Sequence, residues 1–221
     1  SMLDGLSGIN QLVSRAHELG MDSLALTDHG GMYGVVDFYT ACKDVGIKPI
    51  IGCELYVAPG RHTERHATDK NPFHLTVLAQ NNNGYKNLIQ LVTKANLEGF
   101  YYKPRISKEL LAEHADGLVV LSGCPSAEMS RLLMDGNIAG AEELARWYQG
   151  SVPNFYLEIQ RHTNLPFLDG LNAGLISLAE RLDIPIVATN DLHYVNQEDA
   201  PLQDVMVCVQ TNTTVSDENR M

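Results

Sequence analysis

Apolar residues recur at Ile9, Leu12, Val13, Ala16 and Leu19, the three- and four-residue spacing of one helical face, and Gly20 follows where such a helix should stop. The short run Ser23 to Thr27 has no such period. It predicts a buried strand, and it leads straight into the polar cluster Asp28-His29-Gly30-Gly31. The alternation then repeats. Helices are predicted over Val35–Val45, Tyr85–Asn96, Ala139–Tyr148 and Asp169–Leu182, and strands over Pro49–Val57, Phe73–Ala79, Gly117–Leu121, Phe155–Gln160 and Ile184–Thr189.

Six strands separated mostly by helices define an α/β chain. The strands are short, β-branched and apolar rather than alternating, so both faces should be buried, as in a parallel sheet covered by helices or closed into a barrel. The segment from Ala58 to Pro72, rich in His, Arg, Thr and Asp, is the one long predicted loop. With no internal repeat and no linker, residues 1–221 read as one domain. Ser1 to Gly5 supplies no strand ahead of the first helix, and Thr211 to Met221 is a polar tail, so the chain is expected to be a fragment of a longer one.

Composition narrows the classes. A chain of 221 residues with 44% hydrophobic and 19% charged positions is ordinarily globular, which excludes disorder and low complexity. No stretch approaches the roughly 20 apolar residues that cross a bilayer, and no leader opens the chain, so no membrane association and a cytoplasmic location are expected. Cys42, Cys53, Cys124 and Cys208 form no C-x-x-C pair, against both a disulfide framework and a cysteine-rich zinc module. The net charge of -11 opposes a broad grip on a phosphate backbone, so a nucleic-acid substrate would need help from bound metal or another segment.

Candidate chemistry gathers where strands end. Asp191 and His193 in Asn190-Asp191-Leu192-His193 point the same way along an extended chain, a weak metal signal that alone reads more readily as a helix cap and a surface histidine. It recurs. His29 follows the first strand, Glu54 sits late in Ile50-Ile51-Gly52-Cys53-Glu54, and Cys124 closes Val119 to Cys124. Since α/β folds place their sites at the carboxyl ends of strands, these segments could converge on one pocket. Cys and His favour zinc or a similar ion, and the carboxylates would also suit manganese, magnesium or iron. His74 fits less well, because it opens its strand. Either that strand is antiparallel or shifted, or His74 is a core histidine.

Taken together, Leu3-Asp4-Gly5, Ala25 to Gly30 with Met32-Tyr33-Gly34, Gly46 to Glu54, Phe73 to Ala79, Phe100 to Arg105, Leu121 to Cys124 and Ala188 to Tyr194 resemble the PHP (polymerase and histidinol phosphatase) domain found in bacterial DNA polymerase III alpha subunits. The resemblance covers nearly the whole chain. It implies a distorted seven-stranded (β/α) barrel whose mouth holds two or three divalent ions, zinc first. By motif the ligands fall on Asp4, His29, Glu54, His74, Cys124, Asp191 and His193, with His29, Glu54, Asp191 and His193 also the catalytic set. Two further family ligands belong to a His-x-His motif on a first strand, which should precede Leu3 and is absent from this sequence.

The implied activity is metal-assisted phosphodiester hydrolysis of the 3′–5′ exonuclease type, with DNA, the remaining polymerase domains and a separate proofreading exonuclease subunit as partners. Two rivals stand beside it: a non-catalytic module that supports the polymerase, and a free-standing phosphatase of the histidinol-phosphatase type. Lys103 and Arg105, which follow the aromatics Phe100-Tyr101-Tyr102, could hold a phosphate or a base, and Arg161 and His162 follow a strand near the expected mouth. Their bland reading is a solvated rim. Asp28 and Asn190 could orient neighbouring ligands by hydrogen bonds. His62 and His66 read as exposed loop histidines, and Cys42, Cys53 and Cys208 as buried thiols.

Overall fold

A computed structural model describes residues 4–162 and 165–217, except the side chain of Thr68. Leu3 of the Leu3-Asp4-Gly5 motif and the last residues of the polar tail lie outside the described residues. The elements in order are α1 (Ile9–Glu18), β1 (Ser23–Leu26), α2 (Val35–Val45), β2 (Lys48–Val57), β3 (Phe73–Ala79), α3 (Asn82–Leu97), β4 (Phe100–Tyr101), β5 (Lys103–Ile106), α4 (Lys108–Glu113), β6 (Leu118–Leu121), α5 (Glu128–Met134), α6 (Ile138–Ser151), β7 (Phe155–Gln160), α7 (Phe167–Leu182), β8 (Ile186–Thr189) and α8 (Ala200–Thr211).

The amphipathic stripe of α1 buries Val13 and Ala16 against Phe38 and Cys42 of α2 and against Ile47, which makes a small core. Leu19, at the end of the stripe, is exposed. Phe38 is completely buried, and its truncation to alanine would cost about 3–5 kcal/mol. Gly46 ends α2 in the left-handed region at φ 82°, where a side chain would be strained. Asn81 starts α3 by accepting hydrogen bonds from the N–H groups of Asn83 and Gly84. The larger core lies between the central strands and helices α3 to α7, with Leu55, Val77, Val120 and Leu157 from successive strands.

The sheet runs β4-β5-β2-β3-β6-β7-β8, with β1 paired to the first half of β2, and it curls into an open, distorted α/β half-barrel. Glu54 shows the layout of β2: it bridges to His29 on one side and pairs with Thr76 of β3 on the other.

Among the predicted strands, the all-parallel expectation fails at one. β3 runs antiparallel to both β2 and β6, whereas β1–β2, β2–β5, β6–β7 and β7–β8 are parallel. The reason is local: β2 and β3 are joined by segment 58–72, which holds only a short 3-10 turn at Ala67–Lys70 and no crossover helix, so the chain returns beside itself. The start of β3 therefore lies with the carboxyl ends of its neighbours. The strands β4 and β5 and the helices α4, α5 and α8 are additional to the predicted elements. β4 and β5 form a tight antiparallel pair around Tyr102, which sits at φ 60°.

Candidate metal centre

The ends of β1 and β2 are locked to each other. Glu54 donates its N–H to the Asp28 carbonyl at 3.0 Å, and Gly30 donates to the Glu54 carbonyl at 2.8 Å, which holds His29 beside Glu54. The Asp28 carboxylate accepts the N–H of Gly34 at 3.1 Å and so fastens this turn to the start of α2. On β3, the reversed direction delivers His74 to the same place, as the antiparallel alternative required. The Cys124 turn packs directly on it: Gly123 has φ +88°, and a Cβ there would lie 3.0 Å from the His74 carbonyl oxygen. Asp4 arrives from the opposite side. Leu6 donates to the His193 carbonyl at 2.7 Å, and Gln203 of α8 donates to the Asp4 carbonyl at 2.7 Å.

His29 is the hub. Its Nε2 is 2.9 Å from Asp4 Oδ2 and its Nδ1 is 3.4 Å from Glu54 Oε1. His193 Nε2 lies 3.7 Å from Asp4 Oδ2, and His74 Nδ1 touches Glu54 Oε1. Two groups with metal-ligating geometry result, Asp4–His29–His193 and His29–Glu54–His74, each with its ligand atoms within 4.8 Å of one another. Cys124 adjoins the second group, its Sγ 3.4 Å from His74 Nδ1. Asp191 adjoins the first: its carbonyl oxygen is 2.8 Å and its Oδ1 4.0 Å from His193 Nδ1, on a backbone held at φ 45°. The Tyr56 ring floors the site, 6.1 Å from the His29 ring and 5.3 Å from the His74 ring.

The donor set fits divalent metal. Asp4 Oδ1 is buried with no hydrogen-bond partner among the described residues, and Glu54 Oε1 meets His29 and His74 only as ion-pair contacts. A buried carboxylate oxygen without a partner is costly, and a cation coordinated there removes that cost. The titration of the cluster follows from its crowding. Burial disfavours the charged form of His29, but contacts with Asp4 and Glu54 and their charges outweigh it and raise its pKa to about 10. Burial likewise opposes the charge on Glu54 and Asp4, yet the histidines prevail, holding Glu54 at about 2 and Asp4 far below the usual carboxylate range. Asp191 and the Cys124 thiol are pushed up, by burial first and then by the charge of Glu54. His29 has one nitrogen facing each group, so an ion held at either group would leave the other nitrogen with its carboxylate partner.

The remaining sequence candidates divide. Lys103 places its ammonium 5.4 Å above the Tyr56 ring, at the rim of the site. His162 is half-buried and its charge acts on Asp191, whereas Arg161 and Asn190 are exposed. Arg105 departs from its expected role. It is fully buried, and its guanidinium donates to the carbonyls of Gly99, Asp69, His62 and Glu64, so it ties segment 58–72 to the barrel and is not open to a phosphate. His62 also differs: it is half-buried, 3.2 Å from the Ser107 hydroxyl and 3.7 Å from Glu98, while His66 is exposed. Cys42, Cys53 and Cys208 are buried thiols. Two residues that the sequence reading passed over are Tyr56 and the buried Glu158, whose signal was a lone charge inside the apolar strand Phe155 to Gln160.

Comparison with known proteins places this arrangement. Over its whole length the chain is 48% identical to the DNA polymerase III subunit alpha of Treponema pallidum and 42% identical to that of Deinococcus radiodurans. It spans only 19% and 17% of those polypeptides. Among solved structures, a protein of Bifidobacterium adolescentis assigned as a metal-dependent phosphoesterase superposes with a TM-score of 0.57 at 16% identity, covering 87% of this chain and 85% of that one. A two-domain protein of Bacteroides vulgatus that contains a PHP-like metal-dependent phosphoesterase gives 0.53 at 18% identity, covering 90% and 51%. Both likenesses concern the fold. The family model described as PHP domain matches residues 1–162. Because that match takes in every strand from β1 to β7 together with Asp4, His29, Glu54, His74 and Cys124, the chain belongs to the PHP domain family.

Proposed function

We propose that residues 1–221 are the PHP domain of a replicative DNA polymerase III alpha subunit, and that the centre around His29 hydrolyses phosphodiester bonds from the 3′ end of DNA. The observation that carries this reading is the pair of ligand groups sharing His29, with the buried Asp4 Oδ1 lacking a hydrogen-bond partner among the described residues. Asp4, His29, Glu54, His74, Cys124, Asp191 and His193 would hold two or three divalent ions, with zinc the first choice for a set containing histidines and a thiol. Such ions supply charge neutralisation at phosphate oxygens and bring the pKa of water toward neutrality.

The chain's own residues do the rest. The β1–β2 lock and the reversed β3 fix the ligand atoms before any ion arrives, so little ordering remains to be done on binding. Lys103, leaning over Tyr56, supplies a positive charge at the rim for a phosphate of the incoming strand, and His162 offers a second polar contact beside Asp191. The acidic balance of the chain leaves the broad hold on DNA to the other polymerase domains, with a proofreading subunit as a further partner and the cytoplasm as location. No helix among the described residues is long and apolar enough to cross a membrane.

Elemental mass spectrometry on the full-length protein, with Asp191→Ala as control, tests the centre. Two or more equivalents of metal, diminished in the variant, are expected. Release of mononucleotides from 3′-labelled single-stranded DNA then tests the reaction. A metal-loaded protein that leaves the DNA intact would refute the catalytic reading and leave a structural module.

A further inference from the structure

β7 carries none of the seven proposed ligands, yet it lies between two strands whose ends do: β6, which leads to Cys124, and β8, which leads to Asp191 and His193. What β7 carries instead is Glu158, a carboxylate only 4% exposed. Its Oε2 accepts the N–H of Gly123 at 3.1 Å, and its own N–H donates to the Ser122 hydroxyl at 2.8 Å. Its Oε1 accepts the hydroxyl of Thr189 and, at 3.2 Å, the side-chain amide of Gln160. One buried carboxylate thus reaches the residue before Cys124 and the residue two before Asp191.

The Cys124 turn needs such a hold. Gly123 is in a backbone conformation that only glycine adopts readily, with its N–H pointed at Glu158, and a Cβ added there would lie 3.0 Å from the His74 carbonyl oxygen. A carboxylate suits the position because it accepts from the Gly123 N–H, the Thr189 hydroxyl and the Gln160 amide together; an amide would replace one of those acceptor oxygens with an N–H donor. Orientation of metal ligands by such outer hydrogen bonds commonly governs affinity by 10–100-fold.

We propose that Glu158 is a positioning residue of the metal centre, which fixes the Cys124 turn and the Asp191–His193 segment at a set separation without touching an ion. The inference deepens the proposed function and rests on its metal centre. Cobalt(II) is the probe, titrated into the metal-free full-length protein, because a cobalt–thiolate bond gives a near-ultraviolet charge-transfer band that reports Cys124 directly. In Glu158→Gln the cooperative urea transition should persist, cobalt affinity should fall by about 10–100-fold, and the thiolate band should weaken at equal cobalt occupancy. Thr189→Val removes only the β8 arm, so it should weaken affinity less and leave the thiolate band in place.

A Glu158→Gln protein with a lowered urea midpoint but unchanged cobalt affinity and thiolate band would make Glu158 a purely structural residue and overturn the proposal. If that variant does not fold, unaltered cobalt affinity in Thr189→Val overturns it instead. A wild-type protein that takes up no cobalt refutes the metal centre and this inference together. Cobalt binding with the expected variant pattern but no DNA hydrolysis refutes only the proposed reaction.

Discussion

Replacing Arg105 by methionine tests whether this buried cation holds the fold or meets substrate. The guanidinium makes four hydrogen bonds to main-chain carbonyls, at 2.7 Å to Glu64, 3.0 Å to His62, 3.1 Å to Gly99 and 3.4 Å to Asp69, lies 3.9 Å from the Asp69 carboxylate and stacks 5.2 Å from the Tyr101 ring centre. Hydrogen bonds to a charged group contribute about 1.5–3 kcal/mol each, so simple addition would give roughly 6–12 kcal/mol. Much of that is recoverable. Residues 59–66 are mostly exposed, and their carbonyls can turn to water once released. What remains is the cost of breaking a buried charged network, about 3–5 kcal/mol, or a fall of roughly 10 °C in Tm for a protein of this size. Urea unfolding should show that loss, and trypsin should cut faster at Arg61, Arg65 and Lys70 under native conditions. A loss below about 1 kcal/mol with unchanged cleavage would refute the reasoning. A raised KM for DNA at unchanged stability would restore Arg105 to the substrate.

Four other outcomes are expected. Gly84→Ala sets a Cβ 1.7 Å from the Gly117 carbonyl oxygen, so urea unfolding should show about 1–3 kcal/mol of destabilisation despite the ~1 kcal/mol that alanine gains in a helix; a stabilised variant contradicts the close approach of α3 to this turn. Removing metal with a chelator should lower Tm, since ions that bind only the folded state stabilise it; an unchanged melting curve counts against resident metal. In the metal-free protein the His29 contribution to stability should be complete below pH about 6.5 and vanish as pH rises through about 10, because its folded pKa is raised. The lowered pKa of Glu54 works in the other direction, present above pH about 4.5 and lost as pH falls through about 2, so urea midpoints against pH should trace a plateau between these limits.

The sequence made the long periodic elements legible: α1 and α2 start at or beside the predicted residues, because an amphipathic stripe of ten or more residues and a glycine stop leave little choice. The elements that escaped, α8 apart, are shorter. α4 and α5 span six and seven residues, too few for a helical period to show. β5 hides behind Pro104, which lacks a ladder N–H, and Arg105, whose charge reads as loop even though it is fully buried among backbone carbonyls. The strand-end rule brought His29, Glu54 and Cys124 together, but it assumed parallel strands and so left His74 ambiguous until the direction of β3 was known. Glu158 was invisible for a different reason. A single carboxylate in a strand announces burial or error, and only the three-dimensional neighbours show which donors it satisfies.

The reversed strand β3 has a bearing on how such a domain can change over evolutionary time. Because β2 leaves and β3 begins at the same end of the sheet, segment 58–72 both departs from and returns to the face where His29, Glu54 and His74 meet. Residues inserted or removed there do not alter any strand register, and closing a longer loop costs only about 0.6 kcal/mol per doubling. The segment beside the candidate metal centre can thus be rebuilt in length and charge while His29, Glu54 and His74 stay where they are, with the carbonyl contacts of Arg105 among the anchors that each new version has to satisfy.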